Sequence, residues 1–349
     1  MYKSVRIQNF RGFEDLTVDG LTRVNLIVGD NSVGKTALLE AVMCLNRAAT
    51  GDILPRLDLW RGLFVSTASV RGFLESLFND FNTHQEIVLR ADEESQLVHQ
   101  VSLTVDSDEM VFVPATDGRP RHEGALIVKV SDTDQEPYEG KITLTPPIRD
   151  DETEMRMRMP LDVPRRPAVM LSIQAVGGAS EDAYRLASLK ENRQEDKVVL
   201  ALKLLEPRLT DLDPLPKGNS YWIYANVGGP RLVPLGLLGS GLVRLLSMVV
   251  AGQEAQKGAL CIDEIDAGLH HTVHANVWRA LGQASHDFDY QLFATTHSYE
   301  CMTAAYEAFT DHPEDFSMHR LERVNDQIVC KSFGHEHLGT ALELGFEVR

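Results

Sequence analysis

Positive charge is scarce in this chain, and cysteine is scarcer. Its 349 residues carry 34 Lys and Arg against 51 Asp and Glu, a formal net charge of −17. Such a field repels nucleic acid at long range, so any contact with DNA has to use a local basic patch. The candidates are three short clusters: Arg119 and Arg121, Arg156 and Arg158, and Arg165 and Arg166. Cys44, Cys261, Cys301 and Cys330 are widely spaced and form no C-x-x-C pair, which fits neither a disulfide framework nor a zinc site. They are expected to be reduced and mostly buried. Nowhere do about 18 apolar residues run together, and the opening MYKSVRIQNF alternates like a strand without a signal-peptide core. The expectation is a soluble, cytoplasmic protein without a membrane partner. An N-K-x-D base-recognition motif is also missing, which sets a GTPase aside.

What is present begins with GDNSVGKTALLEAV at positions 29–42, directly after the apolar run VNLIV. The loop Gly29, Asp30, Asn31, Ser32, Val33, Gly34, Lys35, Thr36 has phosphate-binding P-loop spacing. Glycines let the backbone curl so that several N–H groups face phosphate oxygens, the lysine reaches the β and γ phosphates, and the threonine hydroxyl serves Mg²⁺. Such a loop must follow a buried strand and open a helix. VNLIV has the β-branched content of a parallel strand, and Leu38, Leu39, Val42 and Leu45 recur at helical spacing. The reading is a P-loop nucleotide hydrolase with Mg²⁺ at the phosphates; no residue here selects the base, and ATP is what the resemblance described below implies.

Around that loop the chain reads as α/β. Strands are expected near 2–9 and 15–18. Between about 55 and 165 come a helical stretch within LWRGLFVSTASVRGFLESLFNDF and then the runs EIVLRA, LVHQVSLTV, MVFVPA, ALIVKV and KITLTP, spaced like an antiparallel meander. The proline-rich PPIRDDETEMRMRMPLDVPRRP, with its blocks of opposite charge, reads as a mobile connection or exposed lobe. From about 168 onward strands and helices alternate again.

Three later segments carry chemistry. In GALCIDEIDAGLHH an apolar strand ends in Asp263-Glu264, where one carboxylate can hold Mg²⁺ and the next can orient or deprotonate the attacking water. On its own a D-E pair simply opens a polar turn; the P-loop upstream changes that weighing. QLFATT runs into His297-Ser298, where a histidine past a strand end can contact the γ phosphate. Gly239-Ser240-Gly241 opens a helix whose first amides are free to meet an anion, although a plain helix start has the same composition.

The order strand, P-loop, long insertion, G-S-G helix start, IDE, D-A-G-L-H and TTHS resembles an ABC-type ATPase. More closely, IQNFRGFEDLTV with NLIVGDNSVGKTALLEA, IDEIDAGLHH with TTHS, and the ending HLGTALELGFEVR resemble the ATPase of the overcoming-lysogenization-defect (OLD) proteins and their stand-alone, AAA15-type relatives. Both ends of the chain carry the likeness and the middle carries little. It implies a single domain over 1–349 of the ABC-ATPase head type seen in SMC, RecF and OLD proteins, a mixed sheet with an antiparallel β lobe and a helical insertion lobe. Its parts are a P-loop lobe (1–54), a β and insertion region (55–167), and a signature, Walker B and switch-histidine lobe (168–349).

The resemblance also implies roles. Gly29 to Thr36 correspond to Walker A, Asp263 to the metal-side acid, Glu264 to the catalytic acid, Asp266 to the D-loop acid and His297 to the switch histidine. Arg11 corresponds to an arginine that approaches the nucleotide. Gly239-Ser240-Gly241 correspond to the signature that meets ATP on the opposite subunit, which implies an ATP-sandwiched homodimer or higher assembly. LLGSGLVR departs from an LSGGQ form, which weakens the inference of ATP-driven closure. Gln85 and Gln174 are both candidates for the Q-loop glutamine. Many OLD proteins continue into a Toprim nuclease domain, whereas this sequence stops about fifty residues after TTHS. The family logic then implies a separate effector, such as a Toprim-type nuclease, in antiphage defence. Two rivals remain: a RecF-like repair ATPase acting on DNA, and an ATP-gated scaffold or inhibitor with little turnover.

Overall fold

A computed structural model of the chain describes residues 1–48, 53–61, 70–106, 112–114, 120–122, 124–133, 135–145, 154–158, 163, 166–172, 179–218 and 220–343. The chain opens with strands β1 (Tyr2–Phe10), β2 (Phe13–Asp19) and β3 (Val24–Gly29), then helices α1 (Lys35–Arg47), α2 (Ile53–Trp60) and α3 (Val70–Ser76). Strands β4 (Ile87–Glu93), β5 (Val98–Val105), β6 (Phe112–Pro114), β7 (Pro120–His122), β8 (Gly124–Asp132), β9 (Tyr138–Thr145), β10 (Glu154–Arg158) and β11 (Ala168–Leu171) follow. Helices α4 (Ala179–Glu191) and α5 (Glu195–Lys203) lead into β12 (Asp211–Lys217), β13 (Ser220–Asn226) and β14 (Val233–Pro234). The last part is α6 (Ser240–Glu254), β15 (Ala259–Ile262), α7 (His274–Asp287), β16 (Gln291–Thr295), α8 (Tyr299–Ala308), β17 (Phe316–Val324), β18 (Gln327–Gly334) and α9 (His335–Glu343).

Two large sheets organise these elements. One is antiparallel, in the order β10-β9-β8-β5-β4-β1-β2; the other runs β11-β15-β16-β3-β17-β18 and is parallel except for β18. The alternation of β3 shows how they stack. Ile27 packs into a core shared with α1 and the antiparallel sheet, while Val24, Leu26 and Val28 face a second core built with α4 to α8. Period-2 alternation therefore sends one face of the parallel sheet to α1 and the other to the helical layer. In β15, Cys261 and Leu260 divide the same way, as do Phe293 and Leu292 in β16. Each fully buried Leu or Ile contributes about 1.5–3 kcal/mol. The P-loop helix α1 is thus clamped between the two sheets.

Most expected strands are present, with three differences. β1 and β2 belong to the antiparallel sheet through pairing of β1 with β4, so the sheets cut across the segment boundaries expected from sequence. MVFVPA contributes β6, which pairs with β7 in a ribbon of its own. Within the proline-rich segment, expected as a mobile connection or exposed lobe, Glu154–Arg158 is an edge strand paired with β9: Glu154, Arg156 and Arg158 alternate with Met155 and Met157, a strand pattern between prolines. Of the expected helical stretch, Val70–Ser76 is helical, and residues 62–69 lie outside the described ones. The four cysteines are free, three of them buried. Among the described residues no helix is long and apolar enough to cross a membrane.

Candidate nucleotide site

The site forms where three neighbouring strands of the parallel sheet end. β16 lies between β15 and β3, so the loop after each strand opens on the same edge. After β3 the backbone turns back through Gly29 at φ 138° and Gly34 at φ 93°, a region that side chains rarely adopt. Space forbids a side chain at both positions. A Cβ on Gly29 would lie 2.3 Å from the Leu321 carbonyl oxygen, and one on Gly34 would lie 2.7 Å from the Phe13 ring. Helix α1 starts from Gly34 with no side-chain cap, which leaves its first-turn amides without an intrahelical acceptor. That is the amide cradle an anion needs.

Lys35 is buried, and its ammonium donates to the carbonyl oxygens of Gly29 at 2.7 Å and Asp30 at 2.8 Å. Its third contact is His297 Nδ1 at 3.3 Å. Burial lowers the Lys35 pKa, opposed by the charges of Asp263, Asp30 and Glu264. Thr36 Oγ1 donates to Asp263 Oδ2 at 2.9 Å. A hydroxyl and a carboxylate held together are the hard oxygen donors that Mg²⁺ takes, so Thr36 and Asp263 fit that ion. Glu264 follows in the left-handed region at φ 47°. Its N–H donates to Thr295 Oγ1 at 2.8 Å, and Thr296 Oγ1 donates to Asp266 Oδ1 at 2.5 Å. A cleft of about 300 Å³ opens beside this cluster, lined by Gly29, Asp30, Asn31, His297, Ser298 and Met302.

Other expected residues lie elsewhere. Ser32, in the left-handed region at φ 64°, and Gly34 face a second cavity of about 630 Å³ on the other side of the loop, shared with Arg11, Arg61, Arg323 and Asn79. Arg11 reaches the P-loop side, but its guanidinium is engaged by Glu40 at 3.1 Å and by Ser76. Val33 is a core residue. Gly239, Ser240 and Gly241 start α6 and line neither cavity; Gly241 packs against Leu269 of the D-A-G-L-H turn. Gln85 uses its carbonyl to accept from Asn9 and lines neither cavity, and Gln174 lies outside the described residues. Of the arginine clusters, Arg166 is committed to Glu93 and Asp132, Arg121 is on β7, Arg156 and Arg158 are on β10, and Arg119 and Arg165 are outside the described residues. Sequence reasoning missed Thr295, Thr296, Glu40 and Arg61; the two threonines stood in plain view beside His297.

The model of the family described as AAA ATPase domain, AAA_15, matches residues 1–203, more than half of the chain. This chain belongs to the AAA_15 family. Along its length the AAA_15 ATPase is similar to an ATP/GTP phosphatase of Helicobacter pylori, 24% identical over 326 residues that cover 86% of each chain. A shorter likeness, 44% identity over 43 residues and 12% of each chain, links it to the DNA replication and repair protein RecF of an Exiguobacterium species. Among solved structures it is similar to an SMC head bound to the C-terminal winged-helix domain of ScpA, with a TM-score of 0.50, 12% identity and coverage of 98% of this chain and 99% of that one. The expected fold class is borne out: the AAA_15 ATPase has the P-loop architecture of an SMC-type ABC-ATPase head.

Proposed function

We propose that the chain binds and hydrolyses ATP as the sensor and motor subunit of an antiphage defence system of the OLD type, in an ATP-sandwiched dimer that controls a separate effector such as a Toprim-type nuclease. In this reading the α1 amides and Lys35 hold the phosphates, His297 contacts the γ phosphate, and Glu264 takes the proton of the attacking water. Mg²⁺ at Thr36 and Asp263 would supply charge neutralisation on the phosphates. Gly239-Ser240-Gly241 would serve the nucleotide of a second copy. The observation that carries the reading is the run of hydrogen bonds from Thr36 through Asp263 and Thr295 to Glu264, which joins loop, metal-side acid and candidate base at one sheet edge.

A second reading, a RecF-like repair ATPase, has the short RecF likeness in its favour. Against it stand the net charge of −17 and the commitment of Arg166 to internal ion pairs. ATP turnover and molecular mass, measured together for the parent and Glu264→Gln with and without double-stranded DNA, separate the readings. The sensor reading expects turnover indifferent to DNA, and a Glu264→Gln variant that is inactive and held by ATP in a larger assembly. Strong stimulation by DNA favours repair. Glu264-independent turnover overturns both.

A further inference from the structure

We infer that the Thr295 hydroxyl is a positioning group for Glu264, and that it ties the base to the strand carrying His297. This rests on the assignment of Glu264 as the base in the reading above. Thr295 is 1% exposed at the end of β16. Its Oγ1 donates its single proton to Asp263 Oδ1 at 2.6 Å and accepts from the Glu264 N–H at 2.8 Å. The same residue's carbonyl oxygen accepts from Ile265 N–H at 3.0 Å. Two consecutive amides after Asp263 are therefore held by one residue of the neighbouring strand, one through its side chain and one through its backbone.

The hydroxyl is the part that a substitution can remove, and the chemistry needs it in two ways. Asp263 has its other oxygen on Thr36, so Thr295 fixes the rotation of that carboxylate. Glu264 sits at a φ of 47°, which only local bonds can maintain in a glutamate, and the direction of its side chain follows from that backbone. Two residues beyond Thr295, His297 contacts Lys35, while Thr296 between them holds Asp266. A shift of this short segment when His297 exchanges Lys35 for phosphate is transmitted to the amide of Glu264 through Thr295 Oγ1. A threonine that merely satisfied its own hydroxyl in the core would alter stability when replaced and leave the chemical step alone.

The test compares Thr295→Val, which keeps the shape and removes the hydroxyl, with Thr295→Ser, which keeps the hydroxyl. The parent and Glu264→Gln are the controls. Steady-state ATP turnover gives kcat, and titration with a fluorescent ADP gives affinity. Thr295→Val is expected to lower kcat about 10- to 100-fold, since displacement of a catalytic group by about 1 Å costs that order. Affinity should stay within about threefold, and Thr295→Ser should recover most of the turnover, the split that marks an effect on the chemical step alone. If Thr295→Val does not fold, Thr295→Ala takes its place. The inference is overturned if the hydroxyl-less variant turns over within about twofold of the parent, if kcat and affinity fall by one common factor, or if serine is as impaired as valine. A parent whose turnover survives Glu264→Gln sinks the underlying assignment instead, a result distinct from any of these.

Discussion

Lys35 Nζ and His297 Nδ1 lie 3.3 Å apart. The lysine faces three acceptors, the other two being the carbonyl oxygens of Gly29 and Asp30, and an ammonium has three protons to give. Nδ1 of His297 is then the acceptor, and a neutral ring carries its proton on Nε2. On the proposed reading, an entering phosphate has to compete for the same ammonium. Nitrogen-15 NMR of the nucleotide-free protein is expected to show an unprotonated Nδ1 and a protonated Nε2 on His297. Addition of ATP, or Lys35→Met, should shift the Nδ1 resonance, and an Nδ1 that is protonated at the start contradicts the contact.

Gly29→Ala and Gly34→Ala should both destabilise the fold, for different reasons of geometry. At Gly29 the new Cβ meets backbone, the Leu321 carbonyl oxygen, while at Gly34 it meets the Phe13 ring, and both positions have positive φ. A loss of about 2–4 kcal/mol is expected for Gly29→Ala. Gly218→Ala, also at positive φ but with no atom within 4 Å of its Cβ, should cost only the backbone strain, about 1–2 kcal/mol. Urea unfolding of the three variants provides the comparison.

Glu40 is fully buried on α1 and accepts from Arg11 and from Arg61, whose side chains are 10% and 34% exposed. Removal of the carboxylate leaves the Arg11 guanidinium largely buried beside an empty space. Glu40→Ala should therefore lose about 3–5 kcal/mol, and the pair Glu40→Leu with Arg11→Met should recover part of it. A loss under about 1 kcal/mol in denaturant titrations would show that the pair is dispensable.

His319 supplies a pH dependence. It is fully buried between Ser317, Ser332 and Asn25, and burial pushes its pKa down from 6.5 to about 3. Between those values the unfolded chain binds a proton that the folded chain refuses, so stability is complete above about pH 6.5 and is lost as pH falls toward 3. This group alone should remove about 2 kcal/mol between pH 7 and pH 5. His319→Gln should lack that component. Equal pH slopes in urea unfolding for parent and variant would refute the account.

The candidate site was legible where its residues are consecutive. The loop at 29–36, Asp263-Glu264 and His297 are each defined by a few adjacent residues whose local geometry follows from a strand ending or a helix beginning, whereas the α6 start, equally legible, lines neither cavity. The fold was legible as a list of strands, since VNLIV, ALCI and QLFAT are short apolar runs bounded by polar turns. What escaped depends on pairing over long distances. No periodicity in the first twenty residues announces that β1 pairs with β4, and nothing in the sequence around Glu40 announces that Arg11 and Arg61 converge on it. Thr295 escaped for another reason: one threonine looks like any other until its hydroxyl is seen between Asp263 and Glu264.

Ala294 of β16 faces Leu26 of β3 on one side and Ile262 of β15 on the other. The three loops that meet at the candidate nucleotide site thus leave from neighbouring rungs, whatever length of chain separates them. Extra residues inserted in the turn between β4 and β5 would change the outline of the antiparallel sheet and leave that alignment intact. A single residue deleted from β16 would turn Thr295 and Phe293 to opposite faces and pull His297 back by one rung. Tolerance to length change is therefore divided sharply along this chain, generous in that turn and absent in the three strands.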